Sequence, residues 1–412
     1  MSTATHRTTP VAITGLGLAT PAGLGTQASW DGVCAGVSAA ATDPVLEGLT
    51  VDFSCRVPGF DAVELLGRKA ARRLDRFTQL PIVAAREAIE DSGLDPATWD
   101  GARVAVVLGC GMGGAETWEA QHRRLLERGP SRVSAMLIPM LVPNMVAGIV
   151  AMEFGALGPN LVTATACASG ATAVGVARDL LRSGACDIAI TGGTEAGLTP
   201  LSITGFAQMQ ALSTRGDDPA RASRPFDVAR DGFVAAEASG VLIMERVEDA
   251  AARGATVRGH LAGYGASADA HHITAPDPEG SGAERAMRSA LDDAGISPDE
   301  VTHVNAHGTS TPLNDVSEAR TIGRVLGDHV AVTSTKGVTG HSLGAAGAIE
   351  AGFSILALQQ QRMPPTANLD SQDPEIDIDI IAKAPRDGGV DVVMSNSFGF
   401  GGQNAVLVLT GA

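Results

Sequence analysis

The sequence predicts a layered α/β protein whose sheets are covered on both faces. Strand-length apolar runs alternate along the chain with stretches whose apolar residues recur at helical spacing. The runs are near-continuously apolar rather than alternating, as in strands buried on both sides. Only 3% of the 412 residues are aromatic and 50 are glycine, so helices and sheets must meet through small side chains.

In order, Val11-Ala12-Ile13-Thr14 reads as a first strand running into Gly15-Leu16-Gly17-Leu18-Ala19-Thr20, which lacks the third glycine of a dinucleotide fingerprint. Residues 103–108 read as a strand ending at Gly109-Cys110-Gly111-Met112-Gly113-Gly114, with a helical pattern over 115–127. That spacing fits G-x-G-x-x-G, but the fingerprint also needs an acid about 20 residues on, closing a second strand. Residues 128–152 contain no acid, so the dinucleotide reading fails. Leu161-Val162-Thr163-Ala164 reads as a buried strand, residues 171–183 as a helix, and Cys186-Asp187-Ile188-Ala189-Ile190-Thr191 as a strand with its turn at Gly192-Gly193. Residues 211–232, polar and rich in Arg and Asp, read as a surface excursion. A second half opens near residue 255 with His260-Leu261-Ala262 and Gly263-Tyr264-Gly265, echoing residues 11–17. Strands follow at 302–306 and 330–334, then a long apolar helix over 342–360 and strands at 392–394 and 405–409.

Five cysteines (Cys34, Cys55, Cys110, Cys167, Cys186) form no paired pattern, and neither a signal peptide nor a membrane-length apolar run is read in the chain. The expectation is a reduced, cytoplasmic protein without a membrane segment. A formal charge of −16 argues against nucleic-acid binding, which needs basic residues on phosphates. Against that background two local basic clusters stand out: Arg68, Lys69, Arg72, Arg73 and Arg76, and His122, Arg123, Arg124, Arg128 and Arg132. A solvated helix face is the ordinary reading of each.

Cys167 lies where a strand gives way to a helix, so its sulfur faces the positive end of the helix dipole, a field that favours thiolate. His307 and His341 each follow a strand, and reactive groups gather at such strand ends in α/β sheets. One cysteine and two histidines without further ligands at short spacing make a poor zinc site, and nucleophilic catalysis accounts for them better. Gly340-His341-Ser342-Leu343-Gly344 also matches the G-x-S-x-G elbow of serine hydrolases and acyltransferases. There, however, the strand adjoins the serine and the triad histidine follows it, whereas no histidine follows His341 here.

These motifs resemble the β-ketoacyl-[acyl carrier protein] synthases of the thiolase superfamily, specifically the elongating class of type II fatty acid and polyketide systems. The resemblance rests on Thr165-Ala166-Cys167-Ala168-Ser169-Gly170, on residues 305–312 (NAHGTSTP), on 334–341 (STKGVTGH) and on 395–404 (SNSFGFGGQN), and it spans nearly the whole chain. It implies the thiolase fold, a five-layered αβαβα sandwich of two similar halves, residues 1–255 with the nucleophile and 256–412 with the histidines. It also implies a homodimer, or a heterodimer with a chain-length factor. No cofactor is implied beyond the phosphopantetheine of acyl carrier protein that carries the substrates.

By the same resemblance Cys167 takes an acyl group as a thioester, and His307 and His341 bind the malonyl thioester and promote its decarboxylation. An oxyanion rests on the N–H groups of Cys167 and Phe400, and Phe400 also acts as a gate. Lys336 and Glu318 form a supporting ion pair, Thr309 and Thr311 contact the pantetheine arm, and Met112 and Phe398 line the substrate site. Lys69, Arg72 and Arg73 fall where the family receives its carrier protein. The second histidine separates the chain from initiating synthases, and the absence of cysteine after Cys186 separates it from degradative thiolases. Cys167 itself separates it from non-condensing chain-length factors. Met112, where isoleucine is common, and Gln403, where threonine or histidine is usual, depart from the pattern.

Overall fold

The computed structural model describes residues 10–412; residues 1–9, the start of the expected first half, lie outside the described residues. Two sets of five strands form the frame. The first is β1 (Val11–Thr20), β2 (Val104–Gly109), β3 (Asn160–Thr163), β4 (Ile188–Glu195) and β5 (Ala238–Arg246). The second is β6 (Gly259–Ala268), β7 (His303–Asn305), β8 (Ala331–Thr333), β9 (Val392–Gly399) and β10 (Gln403–Thr410). In space they run β1-β5-β4-β2-β3 and β6-β10-β9-β7-β8, the same permutation twice. Pairing senses repeat too: the first two contacts of each set are antiparallel and the last two parallel. A short antiparallel contact between β1 and β6 joins the sets.

Eight of the helices concern the frame and the site: α1 (Ala62–Arg73), α2 (Arg76–Ser92), α3 (Ala115–Arg128), α4 (Met145–Phe154), α5 (Ser169–Arg182), α6 (Ser281–Ala294), α7 (Pro312–Leu326) and α8 (Ala346–Gln360). α5 and α8 touch strands of both sets, while α2 and α4 cover the outside of the first and α6 and α7 the outside of the second. These are the five layers expected of a thiolase fold. As the central layer, α8 is buried at every position from Ala346 to Leu358, as its nearly all-round apolar sequence requires.

The echo between residues 11–17 and 260–265 has a steric cause. Gly15 and Gly17 lie inside β1, and a Cβ on either would strike the carbonyl oxygens of Ala88 and Ala84 in α2. Gly263 and Gly265 lie inside β6 in the same relation to Ala290 and Ala286 of α6. Each pair lets a helix backbone rest directly on a strand. Three expectations are corrected. Gly192-Gly193 is no turn but part of β4. β3 is not a buried strand: it is the edge of its set, and Leu161 is 43% exposed. Residues 211–232 are no simple surface excursion, since Arg224, Asp227 and Arg230 are buried in an ion-pair network reaching Asp315, Asp370 and Asp373. Composition signals charge there but not that Arg221, Arg224 and Arg230 meet aspartates brought from far along the chain.

Candidate active site

Cys167 sits in the 3-10 turn Ala166–Ala168 between β3 and α5. Ala166 holds a positive φ of 49°, costly for a residue with a Cβ. The Ser169 hydroxyl restrains the turn, accepting the Thr165 N–H at 2.9 Å and donating to the Ala166 carbonyl at 2.7 Å.

His307 follows β7. Its N–H and that of Gly308 donate to the two oxygens of Glu318 on α7, each at 2.7 Å, and the Asn396 amide adds a bond at 3.1 Å. His341 follows a short helical turn after β8. Its N–H donates to the Val234 carbonyl at 2.7 Å, its own carbonyl accepts from Ala236 at 3.1 Å, and Gly340 turns the chain at φ 65°. The imidazoles stand edge to face with centroids 5.3 Å apart, with Phe233 beyond His341 and Phe398 beside His307. The Cys167 sulfur and one nitrogen of each histidine lie within 4.8 Å of one another.

Electrostatics set the resting state. Burial pushes the Cys167 thiol up to about 11, against the Lys336 charge and the N–H groups of Phe400 and Cys167, which pull it down. The helix field expected to give a thiolate therefore loses to desolvation, and the resting sulfur is a thiol. Burial, with the Lys336 charge, holds both histidines well below their ordinary range, so both rings are neutral. A metal cation here would face the ammonium charge already acting on all three groups.

The pairing of Lys336 with Glu318 is corrected. Lys336 pairs with Glu350 of α8, both 1% exposed, while Glu318 spends its oxygens on the His307 loop. Burial raises Glu350 to about 7 and Glu318 to about 6. Glu350 escaped the sequence reading, although a lone acid in an apolar helix is a signal that could have found it. Phe233 was missed too, and nothing in its local sequence marks it.

A cavity of about 340 Å³ opens onto the three groups, and Thr309, Thr311, Phe398 and Phe400 all line it. The threonine hydroxyls are 3.0 Å apart. Their turn is pinned from the buried segment: Gly232 N–H donates to the Ser310 carbonyl, and Arg230 to the carbonyls of Thr311 and Pro312. Gly399 packs on the Thr165 carbonyl where a Cβ would not fit, which brings the Phe400 N–H to the sulfur. Met112 does not line this cavity; it lines a separate hollow of about 500 Å³ with Trp118, Leu141 and Leu201. Ser342, the competing nucleophile, is fully buried and does not line the cavity. Lys69, Arg72 and Arg73 are exposed on the last turns of α1.

Residues 8–250 match the family described as Beta-ketoacyl synthase, N-terminal domain, and residues 258–370 match Beta-ketoacyl synthase, C-terminal domain. The chain is 47% identical over 404 residues to a 3-oxoacyl-[acyl-carrier-protein] synthase 2 of a Synechocystis strain, covering 96% of this chain and 97% of the relative. Among solved structures, it is similar to a ketosynthase in complex with its type II polyketide acyl-carrier protein, with a TM-score of 0.91, 32% identity, and 98% and 99% of the two chains covered. It is also similar to the ishigamide ketosynthase/chain length factor, with a TM-score of 0.91, 32% identity, and 98% and 99% covered.

Proposed function

The chain belongs to the beta-ketoacyl synthase family, and from that premise we propose that it is an elongating 3-oxoacyl-[acyl-carrier-protein] synthase built on Cys167, His307 and His341. The observation that carries this is one sulfur and two neutral imidazoles in mutual reach at the wall of one cavity.

In the first half-reaction the Cys167 thiol attacks the thioester carbonyl of an acyl carrier protein. Its proton passes to a neutral imidazole and on to the departing pantetheine thiolate, leaving the acyl group on the sulfur. The tetrahedral oxyanion rests on the N–H groups of Cys167 and Phe400. In the second, the malonyl thioester oxygen lies against His307 and His341. Loss of carbon dioxide leaves its electron pair in an enolate, which the ring N–H groups stabilise as donors. That carbanion attacks the acyl-Cys167 carbonyl, the carbon–sulfur bond breaks, the departing Cys167 thiolate takes a proton from solvent to return to the thiol, and the product leaves two carbons longer on its carrier protein. Lys336, held in its ion pair with Glu350, keeps its ammonium close enough to act on all three groups, and Glu318 holds the His307 backbone in place. Thr309 and Thr311 receive the pantetheine amides. The chemistry balances on two thioesters and one proton taken up as carbon dioxide leaves, and it draws on no redox group.

The acidic carrier protein docks on Lys69, Arg72 and Arg73, a basic patch on a chain of charge −16. Leu161 on the exposed edge of β3 is 43% exposed, and with Met152 of α4 at 67% and Leu157 of the intervening segment at 77% it leaves apolar surface that calls for a partner. A second copy pairing edge to edge satisfies it. A homologous chain-length factor would satisfy it too, in which case the chain is the condensing subunit of a polyketide pair. Among the described residues no helix is long and apolar enough to cross a membrane.

The test is Cys167→Ala with malonyl and acyl carrier protein. Condensation is lost while malonyl decarboxylation continues, because both imidazoles remain; unchanged product formation would sink the assignment.

A further inference from the structure

Glu195 ends β4, takes no part in the steps above, and is wholly buried. Its Oε2 accepts the N–H of Gly111 at 2.9 Å and of Gly344 at 3.2 Å. Its Oε1 accepts the N–H of Met112 at 3.2 Å and lies 3.6 Å from the Cys110 sulfur. The glycine-rich loop that imitates a dinucleotide fingerprint thus wraps its amides around an anion of its own chain. The fit is steric as well, since a Cβ at Gly111 or Gly344 would collide with the Glu195 carboxylate. The second half repeats the device: Glu318 takes two consecutive amides at the end of β7, the counterpart of β2.

The loops that Glu195 joins wall two different spaces. Met112 lines the hollow of about 500 Å³, and Leu343, next to Gly344, lines the cavity that holds Cys167. We propose that Glu195 is a positioning residue for acyl-chain selectivity, tying the Met112 loop to the Leu343 loop and so fixing the partition between the nucleophile and the hollow a long acyl chain must enter. This rests on the acyl-enzyme reading above. A short acyl group stays within the Cys167 cavity, whereas a longer one must displace the partition. Because one carboxylate receives three N–H groups from both loops, they move together or not at all.

Burial raises the Glu195 carboxyl to about 7, opposed by its N–H donors. The titratable groups coupled to it, Cys110 and Cys167, are both held up as thiols, and the Gly344 side offers only its N–H. Glu195 is therefore the member of this cluster that changes charge near neutrality, and its protonation slackens the tie.

The experiment compares condensation of butyryl and palmitoyl carrier protein by the full-length protein and by Glu195→Gln. The variant shifts the ratio of kcat/KM values towards the long primer by about tenfold, and Glu195→Asp restores part of the difference. The wild-type ratio moves the same way from about pH 8 to about pH 6, while that of Glu195→Gln stays flat. Amide exchange at Gly111, Met112 and Gly344 quickens in the variant. Proportional losses on both primers, or unchanged exchange, would overturn the proposal. If Glu195→Gln does not fold, a wild-type ratio that is flat with pH does the same. Amide exchange tests the tie even if the wild type condenses neither primer, in which case the acyl-enzyme reading is what fails.

Discussion

Alkylation of Cys167 by iodoacetamide measures directly how the site holds its sulfur, because the thiolate is the reacting form. Burial raises the thiol to about 11, two pH units above the ordinary 9.0. Two units correspond to about 3 kcal/mol of added difficulty in forming the anion. At about pH 7.5 only about one sulfur in three thousand is then ionised, against about one in thirty for an unperturbed thiol. Inactivation near neutrality should run about a hundredfold slower than for a solvent-exposed cysteine, and rise about tenfold per pH unit to beyond pH 10. Acylation by a carrier-protein thioester should not follow that slope, because a neutral imidazole within reach takes the proton as the bond forms. The assay is stopped-time alkylation with mass spectrometry of the Cys167 peptide, set beside single-turnover acylation over the same pH range. Half-maximal alkylation below about pH 8 would show a preformed thiolate and refute the general-base account.

Two further outcomes are expected. Lys69→Glu combined with Arg72→Glu raises KM for carrier-protein substrates by about tenfold or more and leaves small pantetheine thioesters nearly unaffected, the carrier-protein effect shrinking as salt rises; equal losses on both substrates would point to misfolding instead. Glu350→Ala strands the Lys336 ammonium in a region where both side chains are 1% exposed, at a cost of about 3–5 kcal/mol read by denaturant unfolding. A change below about 1 kcal/mol would mean the pair contributes little.

What the sequence revealed was local. Each strand-end residue that carries chemistry sits beside a period change from apolar run to helix, and Cys167, His307 and His341 could be found that way. The family resemblance added Thr309, Thr311, Phe398 and Phe400, all of which line the cavity. Partnership was not legible. The Lys336 ammonium had two buried acids to choose from, Glu318 and Glu350, and only the packing of α8 in the central layer decides between them. Residues 211–232 look soluble in composition, yet Arg224 and Arg230 are buried because the matching aspartates arrive from residues 315, 370 and 373. The G-x-G-x-x-G loop, which the missing acid excludes as a dinucleotide site, gathers its amides around a side chain about 85 positions away, too distant for any motif to record.

The repeated strand permutation reaches into the chemistry itself. The turn after β3 bears the sulfur, and the turn after β8, its equivalent, bears an imidazole. Two separate identical subunits facing each other could present only a pair of sulfurs or a pair of imidazoles from that turn. Placing both strand sets in one polypeptide removes the restriction, so two equivalent turns carry different reagents while the layers beneath them stay alike.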